Sequence, residues 1–147
     1  MPAVQSTYSS RLSNGHVGEI ADLGESNVIS RDVETSGGIG FGVAVIQGTA
    51  DNQCKIGGAG TFLGITVRDP AVDATRGDKY NQYDNAAILD RGTIWVTAGE
   101  AVVPGDVVYR TATGVLNKTS TSNTLIAGAR WDSTAANGAL ARVRLGY

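Results

Sequence analysis

From Ile39 to the C-terminus the chain is a succession of short apolar or alternating runs, each broken within a few residues by Gly, Asn, Asp or Thr. This spacing constrains the fold more than any other feature, because it leaves no room for the three-and-four periodicity of an amphipathic helix. FGVAVIQ (41–47) is apolar on both faces, as a strand covered on both sides would be. FLGITVR (62–68) puts Leu63, Ile65 and Val67 on one face and Thr66 and Arg68 on the other. AAILDRGTIWV (86–96) reads as two strands around a tight Asp90-Arg91-Gly92 turn. GDVVYR (105–110), LIAGARW (125–131) and ALARVRL (139–145) complete the set, the last with Ala141, Val143 and Leu145 inward and Arg142 and Arg144 outward. Composition agrees: 20 glycines and only 18% charged residues in 147 suit short strands and tight turns, and the Glu/Lys/Leu runs of helical proteins are missing. The expected fold is all-β, a small antiparallel β-barrel or sandwich.

Residues 1–36 differ. Val4, Tyr8, Leu12, Val17, Ile20, Leu23, Val28 and Ile29 are scattered along a polar stretch with neither period sustained. We read 1–36 as an extended N-terminal arm and 37–147 as the β-rich body. Stretched out, about 30 residues reach roughly 100 Å, far enough to lie on another surface.

A faint internal repeat can be traced through the body, although shared turn chemistry alone produces such a pattern and is the reading favoured from sequence. FGVAVIQGTADNQCKI…TFLGITVRD and PGDVVYRTATGVLNK…TLIAGARWD share strand, turn, short strand, loop and strand. Without gaps, Gly42 falls on Gly105, Val45 on Val108, Lys55 on Lys118 and Asp69 on Asp132, while one inserted residue brings Gly64 to Gly128.

The reactive residues are few. His16, the lone imidazole, lies in the arm, a poor host for tight catalytic geometry. Cys54 is the single cysteine, so no internal disulfide or multi-cysteine metal site is expected, and it reads as a small buried hydrophobe. GGIGFG (37–42) and GGAG (57–60) match neither dinucleotide nor phosphate loops. They read as joints, one hinging the arm, the other letting two backbones pass closely. The loop DPAVDATRGDKYNQYDN (69–85) holds four aspartates without EF-hand spacing, and its Tyr80 and Tyr83 suit partner contact. Arg130, Arg142 and Arg144 form a basic patch on the last strands, read as ordinary solvation with subunit contact as the lesser alternative. A net charge of −2 and a pI near 5.2 argue against a nucleic-acid partner. No apolar run approaches the ~18 residues of a membrane span, and the N-terminus lacks a signal-peptide core, so Asn117-Lys118-Thr119 is not expected to be glycosylated. No cofactor, metal or enzymatic activity is expected.

The order of Gly-His-Val-Gly-Glu-Ile-Ala-Asp (15–22), Val45-Ile46-Gln47-Gly48, Phe62-Leu63-Gly64-Ile65, Gly92-Thr93-Ile94-Trp95-Val96, Gly105-Asp106-Val107-Val108-Tyr109 and the closing GARWDSTAANGALARVRLGY resembles the structural cement (decoration) proteins of tailed bacteriophage heads. The resemblance covers nearly the whole chain. It implies a β body with an N-terminal extension, located on the outer surface of the virion capsid and made in the host cytoplasm. It implies the major capsid protein as partner and self-association, most often as a trimer, and no catalytic motif. Under it the contact residues fall on Tyr8, Leu12, His16, Val17, Ile20 and Leu23 of the arm and Tyr80 and Tyr83 of the loop. The alternative is a virion-surface adhesion or carbohydrate-binding module using Tyr80, Tyr83, Trp95 and Trp131.

Overall fold

Two small β-barrels share one long strand. The computed structural model describes residues 15–22, 24–72 and 77–146, and among these every regular element is a strand. The strands are β1 (Asn27–Val33), β2 (Ile39–Gly40), β3 (Ala44–Gln47), β4 (Gln53–Lys55), β5 (Phe62–Thr66), β6 (Lys79–Tyr80), β7 (Asn85–Thr97), β8 (Val107–Arg110), β9 (Leu116–Asn117), β10 (Thr124–Trp131) and β11 (Leu140–Leu145). The first barrel runs β1-β4-β3-β5-β7 and closes where β7 pairs back onto β1. The second half of β7 continues into β11-β10-β8-β9, and a parallel bridge from Ala98 to Leu116 brings that sheet round on itself. Closure removes the long open edges that make isolated sheets prone to aggregation.

β7 overturns the expected hairpin. Asp90-Arg91-Gly92 would turn the chain if each flanking run had only the other to pair with. Here neighbours are waiting on both sides: β1 pairs as far as Arg91, and β11 takes over at Gly92. The chain therefore passes straight through, with a register shift in the β1 pairing at Asn27/Val28. At about 3.3 Å per residue, β7 spans roughly 40 Å. β5 also departs from simple alternation, since Thr66 is as buried as Ile65. The hydroxyl of Thr66 donates to the Gly40 carbonyl (2.7 Å) and accepts from the Val43 amide (3.0 Å), which makes its burial tolerable.

Part of the span read as an arm belongs to the sheet. Residues 27–33 form β1, and only Val33 of that strand is buried, so no hydrophobic period announced it. Its backbone ladder with β7 holds it instead. Residues 15–22 lie along the second half of β7, with Gly18 N–H donating to the Trp95 carbonyl, Trp95 N–H to Glu19 and Ala21 N–H to Thr93.

The two barrels repeat one pattern of pairing. Ile46 opposite Phe62 matches Tyr109 opposite Leu125. The parallel pair Val33–Cys54 matches Ala98–Leu116, and Ile39–Tyr80 matches Val102–Ala135. Ile65–Leu89 matches Arg130–Arg144, and each strand β3 and β8 shows an irregularity in its register with its third strand. The barrel interiors correspond as well. Val33, Ile39, Val45, Cys54, Tyr80 and Ile88 fill the first, and Ala98, Val102, Val108, Leu116, Ala135 and Val143 occupy the same places in the second, all buried. Of the sequence matches, Gly42 with Gly105 and Val45 with Val108 hold, whereas the later ones slip. Register sets Gly64 against Ala129 rather than Gly128, because the bulge in β10 adds a residue.

The pairings explain where charge is allowed. Ala44, Ile65 and Leu89 of the first barrel pack into the core of the second. Their counterparts Val107, Arg130 and Arg144 have no third barrel to meet, so that face is polar, as at the end of a repeat array. The copies also differ in length. Twelve residues (68–79) separate Val67 from Tyr80, but only Ser133 and Thr134 separate the equivalent Asp132 and Ala135.

Candidate functional site

No reactive cluster forms among the described residues. No group of three or more His, Cys, Asp or Glu side chains converges there as a metal site. His16 is exposed, with its imidazole 3.6 Å from the Glu19 carboxylate, which also accepts the His16 backbone N–H at 2.7 Å. Cys54 is fully buried in the first barrel, and desolvation pushes its thiol up to about 11. A thiol so placed is protonated at neutral pH and closed to reagents. Ellman's reagent is expected to leave native protein unmodified at pH 8 and to titrate one thiol after denaturation; rapid native labelling would show that the barrel opens.

The site residues expected from sequence separate into three groups. Tyr8, Leu12 and Leu23 lie outside the described residues. Val17 and Ile20 turn toward the chain's own body: Val17 lies against Gly42, and Ile20 pairs with Ile94 and packs on the core. Tyr80 has 1% of its surface exposed; its hydroxyl donates to the Val67 carbonyl (2.6 Å) and its ring meets Phe41 edge-on. It therefore has no surface to offer a partner. Tyr83 is 75% exposed at the tip of the turn before β7. The aromatic platform of the adhesion alternative is not assembled, since Trp131 and Tyr80 are both in the core and Trp95 is stacked under Arg142 at 5.6 Å.

Arg110 carries a role that the sequence did not reveal. It is buried, and its guanidinium donates to the carbonyls of Gly57 (2.9 Å), Gly58 (3.1 Å) and Gly60 (3.1 Å). The GGAG loop of the first copy is thereby tied to β8 of the second. Its counterpart Gln47 caps carbonyls of its own turn, at Ala50, Asp51 and Gln53. The hint in the sequence was glycine without a phosphate-loop ending; the missing half was the long side chain 50 residues away.

The family model for structural cement protein (E217 gp24/Pam3 gp6) matches residues 4–146. The chain belongs to that family. It is a structural cement protein of phages, and its place is on the virion capsid. Among solved structures the fold is similar to a chain of the capsid of Myoviridae phage XM1, with a TM-score of 0.74 at 20% identity, over 99% of this chain and 98% of the other. It is also similar to the N base of the head fiber gp8.5 of bacteriophage phi29, with a TM-score of 0.50 at 11% identity, over 83% and 95%. No curated protein matches the sequence.

Proposed function

We propose that this cement protein is a non-enzymatic decoration protein. It binds the outer surface of the assembled head and clamps neighbouring subunits of the major capsid protein against the pressure of packaged DNA. The observation that carries this reading is the family match over residues 4–146, which takes in the body and most of the N-terminal segment. The physics is that of several modest contacts joined. A standard interface buries about 800 Å² per partner, and a body of this size offers little more than that to any one neighbour. Association of the cement protein with itself, as a trimer, multiplies these contacts, and linkage of this kind raises avidity by ~10²–10⁴ over one site. The residues ahead of β1 act as the reaching element, with Tyr8, Leu12 and Leu23 as anchors on a neighbour and His16 beside them; Val17 and Ile20 root the segment on its own barrel. The cement protein has no cofactor and binds neither nucleic acid nor membrane.

The test uses undecorated, expanded heads. Purified cement protein is expected to bind them stoichiometrically and to raise the temperature at which they release DNA. Heads that bind nothing, or that bind and gain no resistance, would reject the reading.

A further inference from the structure

The two barrels supply a control for the turn ahead of each closing strand. Asn81–Asp84 before β7 corresponds to Ala136–Ala139 before β11. Tyr83 N–H donates to the Val33 carbonyl as Gly138 N–H does to that of Ala98, and Asp84 N–H returns to Asn81 as Ala139 N–H does to Ala136. The third residue is left-handed in both turns, at φ 80° for Gly138 and φ 69° for Tyr83. Among the described residues only two other non-glycines have a positive φ, and both, Asp78 and Ser122, are small and polar. A bulky residue in that conformation is strained, whereas glycine is not. Folding alone therefore favours glycine where the first copy has tyrosine.

The first copy also holds this turn more firmly than the second. Asn81 N–H donates to the Asp84 carboxylate (2.8 Å), and the Gln82 side-chain amide donates to the Glu34 carbonyl (3.1 Å). Alanine replaces both Asn81 and Asp84 in the second copy, so the carboxylate clasp is missing there. The pinned turn nonetheless leaves the Tyr83 side chain 75% exposed. Strain kept at an exposed aromatic residue, on a backbone fixed from both sides, is the pattern of a contact residue organised in advance of its partner. Beside it the longer loop of the first copy helps to form a hollow of about 250 Å³, lined by Asp69, Ala71, Val72, Tyr80, Asp84 and Asn85. A projecting ring next to a hollow is a surface that a complementary protein fills, and contacts around the ring then keep water from it.

We propose that Tyr83 is the anchor by which the first barrel stands on the shell, its ring entering an apolar pocket of a major capsid protein subunit. The inference rests on the proposed function and names the surface of the body that carries it out. Two observations favour the shell over a second copy as the occupant. The place of the cement protein is on the virion capsid. Moreover, the chain itself displays how one barrel packs on another, through Ala44, Ile65 and Leu89 and through Arg110 at the GGAG loop. The exposed tip at Tyr83 lies outside that contact.

The experiment titrates wild type, Tyr83→Gly, Tyr83→Asn and Tyr83→Phe onto undecorated, expanded heads and reads bound protein by co-sedimentation. Glycine and asparagine both accept the left-handed conformation, so each removes the ring and keeps the turn. Both variants are expected to bind at least ~10-fold more weakly than wild type. Tyr83→Phe, which keeps the ring, is expected to stay close to wild type. Thermal unfolding of Tyr83→Gly should begin no lower than that of wild type, because the strain is relieved; a residue kept for the barrel's own stability would lower it. Mass in solution by light scattering should be the same for all four proteins. A glycine or asparagine variant that binds as tightly as wild type overturns the inference and leaves shell binding standing. So does a phenylalanine variant that binds as weakly as glycine, a glycine variant that unfolds earlier, or a fall in mass, which would assign the ring to a contact between copies. Heads that wild type itself does not bind overturn the proposed function and this inference with it.

Discussion

Arg110→Ala is expected to destabilise the folded protein by about 3–5 kcal/mol, since each carbonyl left without its charged donor costs about 1–3 kcal/mol. The substitution strips three hydrogen bonds at once and leaves the carbonyls of Gly57, Gly58 and Gly60 with a cavity where their donor stood. The loss includes the face of Phe62, over which the guanidinium sits at 6.0 Å. For a chain of this size the drop corresponds to roughly 10 °C or more in Tm. Arg110→Lys recovers only part of it, because an ammonium is a point donor and cannot fan out to three carbonyls in one plane. Chemical denaturation of the three proteins checks this, and a loss under about 1 kcal/mol for alanine would mean that the two copies are held together by apolar packing alone. Since the link runs between copies, the variant should also loosen the GGAG loop first, visible as faster amide exchange at residues 57–60 than elsewhere in the first barrel.

Gly64→Ala is expected to cost at least about 3 kcal/mol, at the upper end for overpacking a filled core. A Cβ at position 64 would run into the Leu89 carbonyl and come within 2.8 Å of Ile88 Cγ2. Both belong to β7, the strand that the two barrels share, so neither can retreat without disturbing both copies. The left-handed φ of 156° adds a penalty for any L-residue. Position 129 is the control. Ala129 is the counterpart of Gly64 in the second copy, is fully buried and already carries the methyl. Ala129→Gly should therefore lose only about 1 kcal/mol, the scale of a strand-propensity difference. Equal effects at 64 and 129 in urea titrations would sink the argument from close approach.

The asymmetry of these two positions shows how function has been laid over a repeated body. At some positions where both copies need the same packing their residues agree in kind, as Val45 and Val108 or Ile88 and Val143 do. Two of the divergent pairs engage something beyond their own barrel. Ile65 meets the other copy while Arg130 meets solvent, and Gln47 caps its own turn while Arg110 crosses to the neighbour. Tyr83 against Gly138 is a further divergence, with the tyrosine side chain exposed to solvent.

The all-β character, the strands around β3, β5, β8, β10 and β11, and the inward set Ala141, Val143 and Leu145 were legible in the sequence. Side-chain alternation and turn chemistry are local properties, decided within a few residues. The family resemblance was legible too, because it rests on the order of such segments along the chain. Pairing partners were not. Asp90-Arg91-Gly92 has the composition of a turn and lies inside a straight strand, because β1 and β11 supply the hydrogen bonds that a hairpin would have supplied. β1 buries only Val33 and is held by its backbone, which carries no sequence signal. Tyr80 and Tyr83 read alike as contact residues, yet one fills the barrel and the other stands in solvent. Three positions of chain separate them, but whether a side chain faces the core depends on how β6 closes against β2, a contact 40 residues distant. Local chemistry settled what each segment of this cement protein could be; long-range hydrogen bonding, which no window of sequence contains, settled which side of it faces the core.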